Sequence, residues 1–320
     1  MAIDPGGISM GGTTSGTPAH PSVAFIGLGN MGGPMAANLV QAGVAVSGFD
    51  LSAEAVAIAR SKGIETVTDP LEAVATSDVV LTMLPSGQHV LSAYQDSPGL
   101  LSAARPGTIF LDCSTINISE AQQAAELAER AGFRAADAPV SGGVVGAEAG
   151  SLAFMAGGRP EVFEEIRPLL EIMGGRVVHC GGSGLGQAAK LCNNMILGVS
   201  QIAVAEAFVL GERLGLDHQA LYDVVSNASG QCWALTTNCP VPGPVPSSPA
   251  NRDFTPGFAG ALMAKDLTLA TNALQDQGVD AQLGRLAAAI FSEFAQGPGA
   301  RQDFSGIIET IRDNSHHPGA

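Results

Sequence analysis

The chain has 320 residues, 46% of them hydrophobic, with 15 basic against 30 acidic side chains and a formal net charge of -15. That length supports two domains, each with its own core. The charge excludes a nucleic-acid partner, because neutralising phosphates takes clustered Lys and Arg, and it argues equally against an anionic membrane surface.

Residues 1–20 are rich in Gly, Ser, Thr and Pro. They have neither the apolar stretch of a secretory signal nor the arginines of a transit peptide, so they read as a disordered extension of a cytoplasmic protein. VAFIG at 23–27 is a short apolar strand, and LGNMGGPMAANLVQAG after it reads as a tight turn and a helix. VAVSGF at 44–49 is a second strand ending at Asp50, and helix 52–62 follows. Further strands fall at 79–84, 108–114, 133–140, 151–157 and 177–181, with helices at 119–131 and 160–173. Strands alternating with helices predict a largely parallel sheet covered on both faces. From Gly184 the strand signal ceases, and segments 216–228, 257–277, 280–295 and 303–313 read as helix. The expected organisation is α/β: a dinucleotide-binding domain of Rossmann type over 21–183, an all-α domain over 184–314, and a loose tail at 315–320.

The glycines support that domain type. Gly27-Leu28-Gly29-Asn30-Met31-Gly32 has the GxGxxG spacing between a strand and a helix. Gly27 permits the turn, Gly29 lets a diphosphate approach the backbone, and Gly32 allows close strand–helix packing. The diphosphate then meets free amides at the helix start. Asp50, 23 residues after Gly27, ends the second strand, where a carboxylate can accept from ribose hydroxyls and repel a 2'-phosphate. The cofactor is therefore expected to be NAD; the alternative for Asp50 is a turn or cap acid. Met83-Leu84-Pro85 and Ser114-Thr115 end two more strands and fall beside the cofactor, although Thr115 reads equally well as a helix cap. Ser141-Gly142-Gly143 offers a hydroxyl and bared amides for a carboxylate, or is an ordinary turn.

GLGQAAKLCNNMILGVSQIAVAEAFVLGERLG, opening at Gly184, predicts one long helix that joins the two domains. Apolar residues lie nearly all round it, which predicts burial against several neighbours. Lys190, with Asn194 one turn later, reads either as a snorkelling lysine or as an amine held in an interdomain cleft. The five cysteines are scattered without metal-ligand spacing, so no metal is expected. His89, His179 and His218 are not spaced to pair with an acid and read as structural.

GLGNMGGPMAANL, DCST, DAPVSGG, GSGLGQAAKLCNN and LMAKDLTLA together resemble the beta-hydroxyacid dehydrogenases, over about residues 22–313. The resemblance implies an acid/base lysine at Lys190 and a substrate-orienting asparagine at Asn194. It implies substrate contacts at Ser141, Gly142, Gly143 and Thr115, and cofactor contacts at Ser114, Thr115 and Lys265. It also implies NAD-dependent oxidation of (S)-3-hydroxyisobutyrate to methylmalonate semialdehyde in valine breakdown, by a homodimer or homotetramer. A sibling activity such as tartronate semialdehyde reduction, or a non-catalytic NAD-binding protein, is the alternative.

Overall fold

The computed structural model describes residues 20–315. The expected disordered extension at 1–20 and loose tail at 315–320 therefore fall almost wholly outside the described residues. The first half alternates as β1 (Val23–Ile26), α1 (Gly32–Gln41), β2 (Val46–Phe49), α2 (Ala53–Ser61), β3 (Glu65–Thr66), α3 (Pro70–Thr76) and β4 (Val79–Thr82). It continues through α4 (Gly87–Gln95), α5 (Leu100–Ala103), β5 (Ile109–Asp112), α6 (Ile118–Arg130) and β6 (Arg134–Asp137). Then come β7 (Val140–Ser141), α7 (Gly143–Glu148), β8 (Leu152–Gly158), α8 (Pro160–Met173) and β9 (Gly174–Gly181).

Among the described residues nine strands form one sheet, in the order β3-β2-β1-β4-β5-β6-β8-β7, with β9 on β8. The run from β3 to β6 is parallel, whereas β8 is antiparallel to both β6 and β7. Strand order reverses between β1 and β4, and that switch point opens the crevice in which such sheets bind ligands. Both faces are covered. Val23, Phe25 and Leu81 pack with α1 and α8 on one side. Ala24, Ile26 and Val80 pack with α3, α4 and α6 on the other. This two-sided burial is why β1, β4 and β5 read as unbroken apolar runs.

The strand expected over 133–140 is divided into β6 and β7. Pro139 lies at the break, and proline brings no amide to a ladder. The long helix, α9 (Leu185–Arg213), starts one residue past the expected domain boundary, after Gly184 in the left-handed conformation. Its 29 residues span about 44 Å at 1.5 Å per residue. The second half adds α10 (His218–Val225), α11 (Trp233–Thr236), α12 (Gly260–Asp276), α13 (Gln282–Phe294) and α14 (Ile307–Asn314). Their core joins Ile202, Phe208 and Val209 of α9 to Met263, Leu267, Phe291 and Ile308.

Burial all round α9 is not what the chain shows. Ile196 and Leu210 are 65% and 60% exposed, because α12, α13 and α14 cover only one side of the rod. By length and composition α9 could cross a membrane, but half of its most apolar window is buried inside the protein. Its buried face also carries Gln187, Lys190, Asn194 and Gln201, which marks a core helix with a polar line along it.

Candidate active site

The glycine loop has the expected geometry. Gly27 holds φ +102, and a Cβ there would overlap the Met83 carbonyl. A Cβ on Gly32 would overlap the Gly27 carbonyl oxygen and lie 3.0 Å from Phe25 Cε1. At Gly29, by contrast, a Cβ would meet nothing within 4 Å, so the loop leaves open space where a diphosphate would approach. Asp50 accepts from the Leu28 amide at 2.7 Å through Oδ2 and from the Ser52 amide at 2.7 Å through Oδ1. It therefore fastens the glycine loop to the end of β2, and each oxygen keeps a lone pair for a ribose hydroxyl. The open slot, the amides at the start of α1 and this acid fit NAD.

Ser114 does not face the cleft. It is fully buried, and its hydroxyl donates to Asp112 Oδ1 at 2.6 Å while accepting from the Leu84 amide at 2.8 Å. Its hydroxyl holds the Leu84–Pro85 turn against the end of β5. Asp112 also accepts from Thr82 Oγ1 at 2.7 Å, while its Oδ2 has no partner. Burial pushes this carboxyl up to about 6, against the hydrogen bonds from Ser114 and Thr82.

Lys190 and Asn194 fall one turn apart on the buried face of α9, as i, i+4 spacing requires. Lys190 is only 5% exposed, so the reading of it as a snorkelling lysine fails. Its Nζ stands 6.0 Å from the centre of the Phe258 ring, near the limit of cation–π attraction. Asn194 donates from Nδ2 to Asp266 Oδ2 at 2.6 Å, and its Oδ1 accepts from Asn193 at 3.0 Å. One Nδ2 hydrogen is left for a substrate. Lys265 reaches across from α12 and donates to the Thr115 carbonyl at 2.8 Å and the Pro85 carbonyl at 3.5 Å. It thereby ties the helical half to both strand-end turns, and it lies 3.7 Å from Asp266 Oδ1.

Burial holds the Lys190 ammonium below the ordinary lysine value; Asp266 opposes that shift and Lys265 adds to it. Burial likewise lifts Asp266 above the usual carboxylate range, opposed by Lys190 and Lys265. The result is an amine that is easier to deprotonate than a free lysine and has an acid beside it. Perturbation by burial plus a specific charge partner is the pattern of a reactive group.

The Ser141–Gly143 turn approaches this cluster through the chain before α12. Gly142 and Gly143 hold φ +130 and +62, and a Cβ on Gly143 would lie 2.9 Å from the Gly257 carbonyl oxygen. Phe258, next in the chain, is the ring near Lys190. Asn194, Asp266, Lys265, Thr115 and Pro85 are thus joined by hydrogen bonds and an ion pair, Lys190 interacts with Asp266 and Lys265 through charge, and Ser141–Gly143 meets them through Gly257 and Phe258. The histidines lie outside the cluster: His179 bonds the Gly158 carbonyl at 2.9 Å and His89 bonds Ser86, while His218, against the expectation that none pairs with an acid, meets Glu212 at 2.8 Å across the turn from α9 to α10. Ser305 donates to Asp303 and is structural.

A doubly wound sheet with an open glycine slot, met by a buried lysine from a helical second domain, defines an NAD-dependent oxidoreductase. The family model for the NAD binding domain of 6-phosphogluconate dehydrogenase matches residues 22–182. A second model, described as NAD-binding of NADP-dependent 3-hydroxyisobutyrate dehydrogenase, matches 184–311. The chain is 54% identical over 291 residues to a probable 3-hydroxyisobutyrate dehydrogenase of Mycobacterium tuberculosis, covering 91% of this chain and 98% of that one. It is 44% identical over 291 residues to a Pseudomonas aeruginosa NAD-dependent L-serine dehydrogenase, covering 91% and 97%. A solved M. tuberculosis 3-hydroxyisobutyrate dehydrogenase with L-serine superposes with a TM-score of 0.87 at 54% identity, covering 92% of this chain and 99% of that one. The chain belongs to the 3-hydroxyisobutyrate dehydrogenase family.

Sequence reasoning missed Phe258, Asp137 and Gln187 as parts of the site. Phe258 carried the one readable signal, a lone aromatic between glycines just before a helix.

Proposed function

We propose that this protein oxidises (S)-3-hydroxyisobutyrate to methylmalonate semialdehyde in valine breakdown, with Lys190 accepting the hydroxyl proton. The observation that carries the reading is the near-complete burial of Lys190 beside Asp266, on a cluster that Lys265 ties to the cofactor-side turns. Bound NAD+ supplies the acceptor for the hydride that leaves the carbinol carbon. Ser141 Oγ, the amides of Gly142 and Gly143, and the free Nδ2 hydrogen of Asn194 supply donors for the substrate carboxylate. Lys190, deprotonated, takes the O–H proton as the C–O bond becomes C=O; protonated, it returns that proton in the reverse direction.

L-Serine is the second reading, favoured by the names of the Pseudomonas relative and the solved mycobacterial structure. It is also a 3-hydroxy acid, with an ammonium where the other has a methyl, so the same lysine and carboxylate donors serve it. Initial rates of NADH formation on both enantiomers of 3-hydroxyisobutyrate, L-serine and D-glycerate separate the two. The highest kcat/KM is expected on (S)-3-hydroxyisobutyrate, and a higher value on L-serine overturns that choice. Association as a homodimer or homotetramer belongs to the same proposal. It is supported by the apolar surface that Ile196 and Leu210 leave exposed on α9.

Replacing Asp266 with asparagine removes the one neighbouring charge that raises the Lys190 pKa. The lysine then deprotonates at lower pH. The rising limb of kcat/KM for oxidation is expected to move to lower pH, and so is the falling limb for reduction. Limbs that coincide with those of the parent in both directions would remove Asp266 from the tuning of Lys190.

A further inference from the structure

The first turn of α9 is held by groups that the proton transfer does not use. Asp137, at the end of β6, accepts the amide of Gly184 at 2.6 Å and that of Gln187 at 3.0 Å. Two glycines make room for it: a Cβ on Gly157 would lie 2.5 Å from Asp137 Oδ1, and one on Gly186 would lie 2.6 Å from Oδ2. Gln187 itself is fully buried. Its Nε2 donates to the Ser114 carbonyl at 2.8 Å, and its Oε1 accepts from the Ile116 amide at 3.2 Å. Those two groups flank Thr115, whose own carbonyl accepts from Lys265. One side chain of α9 therefore fastens the backbone on either side of Thr115, and Lys190 follows it by three residues on the same helix.

We propose that Gln187 is a positioning residue for the dehydrogenation, setting the Thr115 segment at a fixed distance from the turn of α9 that carries Lys190. The two faces of the cleft belong to different domains, and only contacts of this kind fix their spacing to the tolerance that reaction needs. Asp137 fixes where the helix starts. Gln187 fixes the adjoining strand-end turn against it, by one donated and one accepted hydrogen bond that no apolar residue of the same shape can make. A displacement of about 1 Å in a reacting pair costs on the order of 10²-fold in rate. The proposal rests on the proton-transfer role given to Lys190, but its first measurement does not.

Gln187→Met keeps the length and volume and removes both hydrogen bonds. Hydrogen–deuterium exchange of the Ile116 amide, measured without cofactor, is expected to speed up markedly in Q187M. Turnover per folded molecule is expected to fall about 10–100-fold with KM for the hydroxy acid nearly unchanged. The isotope effect with substrate deuterated at the carbinol carbon should grow. Gln187→Glu supplies the conservative rescue, since a protonated carboxyl can donate to the Ser114 carbonyl and accept from the Ile116 amide. The groups around it are Asp112 and Asp137 from the sheet, the buried Cys113 thiol whose ionisation both carboxyls oppose, Lys190 on its own helix and Lys265 across Thr115. The ratio of Q187E to parent turnover should be highest at low pH and fall as that carboxyl ionises.

Unchanged Ile116 exchange in Q187M shows that Gln187 does not hold the segment, and overturns the proposal whatever Lys190 does. Faster exchange with parental turnover and isotope effect overturns it too, as does a loss of rate that only tracks the loss of folded protein. If Q187M does not fold, Q187E decides, and a ratio to parent that is flat with pH overturns the proposal.

Discussion

Replacing Lys190 with alanine is expected to cut turnover by about 10²–10⁴-fold, the range for a positioned proton-transfer group, while NAD+ still binds. The fold should survive. Lys190 is buried at a cost, and Asp266, whose carboxyl already lies above the usual range, stays neutral more readily once the lysine is gone. The Asn194 amide still holds Asp266 at 2.6 Å. Lys190→Arg sharpens the test. It keeps a cation beside Asp266 but cannot deprotonate in a protein, so oxidation should fail almost as completely. Calorimetric titration with NAD+ and steady-state rates in both directions check the pair. Substantial oxidation by the arginine variant would mean that charge, not proton transfer, is what the amine supplies.

Gly29→Ala and Gly32→Ala should both weaken NAD+ binding, for different reasons, and thermal melting tells them apart. In Gly32→Ala the new methyl runs into the Gly27 carbonyl, which is backbone and cannot turn aside. The start of α1 has to move off β1, at the cost of about 1–3 kcal/mol usual for overpacking. Its Tm falls, and affinity drops by about 10–100-fold as the loop amides lose their aim. In Gly29→Ala nothing stands within 4 Å of the methyl, so the free protein keeps its Tm. The methyl instead fills the slot a diphosphate needs, and affinity falls by a similar factor. A Gly29→Ala protein that binds NAD+ as well as the parent would show that the cofactor does not cross the loop there.

Much of the architecture was legible because it is written in local patterns. The apolar runs of β1, β4 and β5, the glycine spacing and the 29-residue helix all declare themselves within a window of one element. Several short helices did not. α4 opens at Gly87 directly after Pro85-Ser86, and α7 is mostly glycine and valine. For α3 the signal was present, with Asp69 capping the Leu71 amide and Pro70 at the first turn, but seven residues carry too little periodicity to stand out. Within the site, Lys190 and Asn194 were legible because their spacing on one helix puts them together. Asp137 and Gln187 were not, because their partners lie 47 to 73 residues away and no local pattern marks them. Ser114 was found at the strand end, but the bond its hydroxyl gives to Asp112, two residues earlier, was not.

The carboxylate that caps α9 belongs to a strand of the other half, so neither half is a self-sufficient module. A fragment ending in the glycine run would strand a desolvated acid; one beginning there would bare the opening amides of its rod. Chimeras built by exchanging halves between homologues must therefore keep Asp137 matched to the backbone of Gly184 and Gln187, with Gly157 and Gly186 left small enough to let the two meet.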